Sequence, residues 1–286
     1  MAEQSVVVTG LPGSGKTTYL AALWHIVTAR DLPTKLKFTR LGEGSRRHLN
    51  EIAARWRDAE QQDRTLLQGL KTVRMNLSDV AGNDLTVTFP DVPGEEYRKM
   101  WEEREIDPLV METLSAKSVL LFVHADAINP PNWIADEVEL YRQWNVPLTE
   151  GEPVPWHPLV APTQVQLVEI LQMLRSAPLD IGPRKLAIML SVWDKAKGEG
   201  LAPNEFLMQT MPLLGQYLSC NADDWTTRIY GISAQGGEYD SIETDAQKSA
   251  EAEELRQRRQ ASSRVDVVSG EQHSHDLTEP LAWLME

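Results

Sequence analysis

The run Gly10-Leu11-Pro12-Gly13-Ser14-Gly15-Lys16-Thr17 constrains this chain more than any other stretch. It fits the spacing G-x-x-x-x-G-K-[ST]. Ahead of it, Ser5-Val6-Val7-Val8-Thr9 is a β-branched run that reads as a buried strand. Behind it, Thr17 to Arg30 places Leu20, Leu23, Trp24 and Val27 at helical spacing. Strand, glycine loop and helix in that order build a cradle for phosphate. The glycines let backbone N–H groups turn inward, and the helix start adds the positive end of its dipole. Gly10, Pro12, Gly13, Ser14, Gly15 and Thr18 line this cradle. Lys16 reaches the terminal phosphates, and the Thr17 hydroxyl is a ligand for Mg²⁺. The bland alternative is a glycine turn with a chance lysine, and the agreement of all three elements weighs against it.

Further strands and helices alternate along the chain. Lys35 to Arg40 alternates weakly as a strand, and Asn50 to Gln62 is helix-like with Ile52, Trp56 and Ala59 on one side. Thr72 to Leu77 and Leu85 to Phe89 flank Ala81-Gly82-Asn83-Asp84 and read as a hairpin. Val119 to Val123, Leu186 to Leu190 and Arg228 to Ile232 are further strands, and Ile134 to Trp144, Val165 to Leu174 and Glu205 to Leu218 are helices. The stretch from Ile128 to Pro162 is rich in proline and carries Trp133, Trp144 and Trp156. These tryptophans either staple that stretch to the domain, the plainer reading, or present a partner surface. From Gly236 to Asp276 the composition turns to Glu, Gln, Ser and Arg, which predicts a mobile polar insertion, helical around Glu251 to Gln260. Leu277 to Glu286 resumes a packed helix. The expected fold is α/β: a three-layer sandwich around a mostly parallel sheet with one antiparallel hairpin strand. Ligands on such sheets bind at the carboxyl ends of the strands.

Three more strand ends carry candidate chemistry. Asp91-Val92-Pro93-Gly94 follows the second hairpin strand. Asp91 there can hold Mg²⁺ through a water, and Gly94 can offer its N–H to a γ-phosphate; a plain turn is the alternative. Ser191-Val192-Trp193-Asp194 follows another strand, and a carboxylate at Asp194 matches the N1–H and exocyclic amine of guanine. Capping of the next segment is the alternative role. Ser233-Ala234 ends the next strand, where a backbone N–H meets the guanine carbonyl oxygen.

This order of G-x-x-x-x-G-K-T, D-x-x-G, a strand-end Asp in the N-K-x-D place, and S-A resembles the Ras-like GTPases of the translation-factor-related class. Within that class it is most similar to bacterial double-GTPases encoded in conflict or anti-phage systems. The resemblance implies one G domain over residues 1–286. In it, 31–71 is an enlarged first switch, 127–184 a Pro/Trp insertion, 236–276 a polar insertion and 277–286 a closing helix. It implies binding of GTP and GDP with Mg²⁺ by the cradle, by Thr17 and Asp91, and by Asp194, Lys195, Ser233 and Ala234. Lys16, Thr65, Gly94 and Glu95 take the catalytic places. Thr65 is the choice for the switch threonine over Mg²⁺, with Thr72 and Thr39 as alternatives. The sequence departs from the pattern at Ser191 and Val192, which replace Asn and Lys, at Glu95, which replaces the hydrolysis Gln, and at Pro12. Slow turnover and a partner-supplied arginine follow from these departures. An ATPase or small kinase, and a non-hydrolysing scaffold, are the rival readings.

Composition limits the partners. Lys plus Arg number 28 against 42 Asp plus Glu, a formal net charge of −14, which argues against a nucleic-acid coat. Cys220 stands alone, so no disulfide framework forms within the chain. Met1 to Gly10 does not read as a signal peptide, and Val119 to Val123 is far short of the ~20 apolar residues that span a bilayer. The expected setting is the cytoplasm, with a guanine nucleotide and protein partners that read the switch regions and the 127–184 insertion.

Overall fold

The computed structural model describes residues 4–61, 72–90, 99–145, 157–196, 200–240 and 249–286. The β-branched run becomes β1 (Gln4–Gly10), and the helical pattern after the glycine loop becomes α1 (Lys16–Ala29). Then come β2 (Lys37–Glu43), α2 (Arg46–Arg57), β3 (Val73–Ser78) and β4 (Asp84–Phe89). Next are α3 (Pro108–Leu114), β5 (Ser118–His124), α4 (Ile134–Gln143), α5 (Thr163–Leu174), β6 (Arg184–Ser191) and the short α6 (Trp193–Ala196). The remainder comprises α7 (Pro203–Thr210), α8 (Pro212–Cys220), β7 (Trp225–Ser233), α9 (Ala250–Gln257), β8 (Asp266–Ser269), β9 (Gln272–Ser274) and α10 (Glu279–Met285).

The nine strands of the described residues join one sheet in the order β2-β3-β4-β1-β5-β6-β7-β8-β9. The five central strands, β4-β1-β5-β6-β7, run parallel. Successive residues of β1 face opposite layers, as strand geometry requires. Val6 and Val8 pack with α1, α2 and α10, while Val7 packs with α5, α7 and α8. The chain moves to one side of β1 to make β2–β4 and to the other to make β5–β9, so the loop after β1 lies at a topological switch point.

Antiparallel pairing is wider than the single hairpin expected. Besides β3–β4, the pairs β2–β3, β7–β8 and β8–β9 are all antiparallel. The segment expected to be a mobile polar insertion supplies α9, β8 and β9, with Val265, Val267 and Val268 buried. Its apolar signal is too short for a period to show, because β8 carries two valines between Asp266 and Ser269. The helix expected over Glu205 to Leu218 is two helices, interrupted at Met211. Pro212 causes the break: it has no N–H to continue the first helix and is well placed at the start of the second. Trp133 and Trp144 do not staple the Pro-rich stretch. They are 70% and 66% exposed, while Trp156 lies outside the described residues. Among the described residues no helix is long and apolar enough to cross a membrane.

Candidate functional site

The loop between β1 and α1 takes its shape from glycines that no other residue could replace cheaply. Gly10 has φ +142°, and a Cβ there would lie 2.4 Å from the Phe122 carbonyl oxygen. Gly15 has φ +88° and forms the N-cap of α1 with no side-chain cap. Among the described residues no N-cap side chain occupies the first-turn N–H groups of α1, which is the arrangement that binds anions. Lys16 Nζ donates to the carbonyls of Gly10 and Leu11, each at 2.8 Å, and to Ser14 Oγ at 3.2 Å. Burial pulls the Lys16 pKa down from 10.5 to about 8. Among the described residues this ammonium is held by neutral oxygens, and a phosphate would supply the counter-charge.

β6 meets this loop from the neighbouring strand end. Ser191 Oγ donates to the Ser14 carbonyl at 2.9 Å and lies 3.3 Å from the Val123 carbonyl. The serine in the asparagine's place thus ties β5, β6 and the phosphate loop together. Val192 follows with φ +57°, strained for a β-branched residue. That turn buries Trp193 against Gly231, where a Cβ would lie 2.5 Å from the indole, and leaves Asp194 facing β7. Ser233 Oγ donates to Asp194 Oδ1 at 2.7 Å, so the two residues expected to read the base are in contact. Lys195 Nζ lies 3.9 Å from Asp126 and 3.7 Å from Glu238, exposed at the rim.

A cavity of about 390 Å³ joins these parts, walled by Gly15, Thr18, Asp194, Lys195, Ala234 and Tyr239. Its size suits a small ligand. Of the cradle, Gly15 and Thr18 line this space together with Asp194, Lys195 and Ala234, while Ser233 stands behind it, bonded to Asp194. Thr65, Asp91, Gly94 and Glu95 lie outside the described residues. Thr39 sits in edge strand β2 and donates to the Asn76 carbonyl, three strands away from β1, or about 14 Å at the usual strand spacing. Of the expected Mg²⁺ ligands, Thr17 is the one described. Its partly exposed hydroxyl at the start of α1 is a hard oxygen donor of the kind Mg²⁺ takes.

Sequence reasoning missed the support behind Ala234. Trp56, fully buried at the end of α2, donates its indole N–H to the Ala234 carbonyl at 2.8 Å. The Arg264 guanidinium stacks over the Trp56 ring at 3.8 Å, bonds the Trp56 carbonyl and stands 5.6 Å from the Tyr239 ring. Burial lowers the Arg264 pKa. The arginine comes from the segment that had read as polar surface, so only its contacts reveal it. His273 bonds Asp266 and His275 bonds the Val265 carbonyl.

A glycine cradle at the switch point of a parallel sheet, with a carboxylate at the next strand end but one, defines a P-loop nucleotide-binding protein. The family model Double-GTPase 1 matches residues 7–284, nearly the whole chain, and the chain belongs to that family. It is accordingly a GTP-binding P-loop protein. No curated protein matches it significantly. Among solved structures it is similar to one titled as the signal recognition particle receptor SRb-GTP/SRX complex from Chaetomium thermophilum. That match has 12% identity and a TM-score of 0.37, and covers 82% of this chain and 92% of the other.

Proposed function

We propose that the chain is a Mg²⁺-dependent switch that hydrolyses GTP to GDP slowly. The observation that carries this reading is the buried Lys16 ammonium, held by loop carbonyls beside an uncapped helix start. In the GTP complex Lys16 exchanges those carbonyls for the β- and γ-phosphates, and the N–H groups from Gly13 to Thr18 take the remaining oxygens. Thr17, Asp91 and the switch threonine Thr65 would hold Mg²⁺, which neutralises charge on the oxygens of the breaking bond. Asp194, fixed by Ser233, accepts from the guanine N1–H and amine, and the Ala234 N–H donates to the guanine carbonyl.

Water attacks the γ-phosphorus as the bond to the β-phosphate oxygen breaks, giving GDP and inorganic phosphate. Gly94 senses the γ-phosphate through its N–H. Glu95 orients the water, but its negative charge repels the same phosphate, so turnover is slow and an arginine from a partner accelerates it. The exposed Trp133 and Trp144 beside α4 support a partner surface on the 127–184 insertion. The setting we favour is a cytoplasmic, bacterial multi-protein system, in keeping with the defence association of the resembled GTPases.

The test is a thermal melt with GDP, GTP, ADP and ATP, each with Mg²⁺, followed by single-turnover phosphate release. A ligand at a hundredfold its Kd adds about 2.7 kcal/mol of stability. Shifts with guanine nucleotides and slow release of phosphate are expected. Binding without any release would make the chain a scaffold, and shifts with adenine nucleotides alone would overturn the guanine assignment.

A further inference from the structure

We propose that Trp56 is a positioning residue for base reading: its indole N–H holds the Ala234 carbonyl and thereby aims the Ala234 N–H at the guanine carbonyl oxygen. The proposal rests on the guanine-nucleotide reading of the cavity. Ala234 lines that cavity. It also stands just past the end of β7, whose pairing ends at Ile232 with β6 and at Ser233 with β8. The sheet therefore no longer fixes its backbone. Trp56, 0% exposed, supplies the hold instead, donating to the Ala234 carbonyl at 2.8 Å. An indole has a single N–H and no acceptor, so the whole hydrogen-bonding capacity of this buried side chain is spent on the loop that meets the base.

One arginine makes this hold stiff. The Arg264 guanidinium stacks over the Trp56 ring at 3.8 Å and bonds the Trp56 carbonyl, and the residue is 3% exposed. Its main chain presses on the loop directly: Gly236 has φ +81°, and a Cβ there would lie 2.6 Å from the Arg264 carbonyl oxygen. Arg264 thus grips the donor with its side chain and blocks the loop with its backbone. On the other side of Ala234, the Ser233 hydroxyl donates to Asp194 Oδ1 at 2.7 Å. The loop is pinned at three places in turn: Ser233 to Asp194, Ala234 to Trp56, and Gly236 against Arg264. Such pinning fixes the spacing between the two groups assigned to the base, the Asp194 carboxylate and the Ala234 N–H. A hydrogen bond weakens steeply as its angle closes, and a donor already in place pays little reordering when the ligand arrives. Without the Trp56 bond the Ala234 peptide is free to turn, and the guanine carbonyl oxygen is read less well.

The experiment compares wild type with Trp56→Phe, which keeps an aromatic face under Arg264 and removes the donor. A second protein carries 3-benzothienylalanine at this site alone, where sulfur replaces the N–H in a ring of the same shape; it decides the matter if Trp56→Phe fails to fold. Affinities are measured for GDP, 6-thio-GDP, inosine diphosphate and inorganic pyrophosphate. Sulfur is a weak acceptor, so 6-thio-GDP tests the contact to the guanine carbonyl oxygen, while inosine diphosphate lacks the amine and tests Asp194. We expect both altered proteins to lose about three- to tenfold of the wild-type preference for GDP over 6-thio-GDP, the size of one net hydrogen bond. The preference for GDP over inosine diphosphate and the affinity for pyrophosphate stay unchanged. A benzothienyl protein that keeps the wild-type preference for GDP over 6-thio-GDP overturns the proposal while the guanine assignment stands. An equal loss for all four ligands shows a merely structural role and also overturns it. If wild type binds GDP and 6-thio-GDP alike, Ala234 does not read the carbonyl, and the proposal falls with Asp194 untouched. If wild type binds no guanine nucleotide at all, the assignment itself falls, and this proposal with it.

Discussion

Ser191 offers the sharpest test of how the phosphate loop is held. It is 6% exposed, and its hydroxyl is the donor to the Ser14 carbonyl at 2.9 Å, with the Val123 carbonyl 3.3 Å away. Ser191→Ala keeps the shape and removes the donor. A buried carbonyl left short of its partner costs about 1–3 kcal/mol. Urea unfolding of the nucleotide-free protein should show that loss with an unchanged denaturant slope. If the bond also holds the loop in its binding-ready form, the GDP dissociation constant rises by about five- to thirtyfold, the equivalent of one to two kcal/mol. Ser191→Asn, which restores the residue of the Ras-like pattern, should not rescue either quantity. A Cβ on Gly15 would already lie 3.1 Å from both Cβ and Oγ of Ser191, so a longer side chain overpacks this contact at a cost of about 1–3 kcal/mol. Unchanged stability and unchanged GDP affinity in Ser191→Ala would refute the tethering role.

Three further outcomes are expected. Gly10→Ala combines a φ of +142° with a 2.4 Å approach to the Phe122 carbonyl, so it should destabilise the fold by about 3 kcal/mol or more in a denaturant melt; a variant within 1 kcal/mol of wild type would contradict the loop geometry. Lys16 has a folded pKa of about 8 against 10.5 for the free side chain, so the unfolded state binds more protons between those values. Stability of the nucleotide-free protein should therefore rise with pH across that window, while GDP affinity falls above pH 8 as the ammonium is lost; pH-dependent melts and titration calorimetry read both, and flat profiles would count against the buried ammonium. Asp194→Asn should cut the GTP-over-ATP affinity ratio about tenfold or more, and an unaltered ratio would remove Asp194 as the base reader.

The phosphate loop was legible because it is local. Strand, glycines and helix are contiguous from Ser5 to Arg30, and each glycine announces a backbone shape that side chains forbid. Asp194 and Ser233 were legible because each follows a strong apolar strand. Their contact was not, since it depends on β6 and β7 being neighbours. Trp56 read correctly as part of a buried helix face. Its second task, bonding the Ala234 carbonyl 178 residues away, leaves no trace in spacing. Arg264 was hidden more deeply: a charged residue in a polar stretch reads as solvated, whereas here it is 3% exposed and stacked on Trp56. Long-range pairings of this kind are set by topology, which periodicity does not encode.

The way the last residues return to the first has a consequence for synthesis. The Leu277 carbonyl accepts from the buried Tyr19 hydroxyl at 2.9 Å, Asp276 accepts from the Lys35 N–H, and the Met285 carbonyl accepts from the Gln4 amide. The layer that backs α1 is therefore translated some 250 residues after the phosphate loop it supports. During elongation the ribosome holds a nascent chain whose loop is already made but whose backing is still missing. Contacts this distant in sequence form late and leave apolar surface open meanwhile. Competence to take up nucleotide should thus arrive abruptly, when residues 265–285 clear the exit tunnel, and chaperone demand should peak just before that moment.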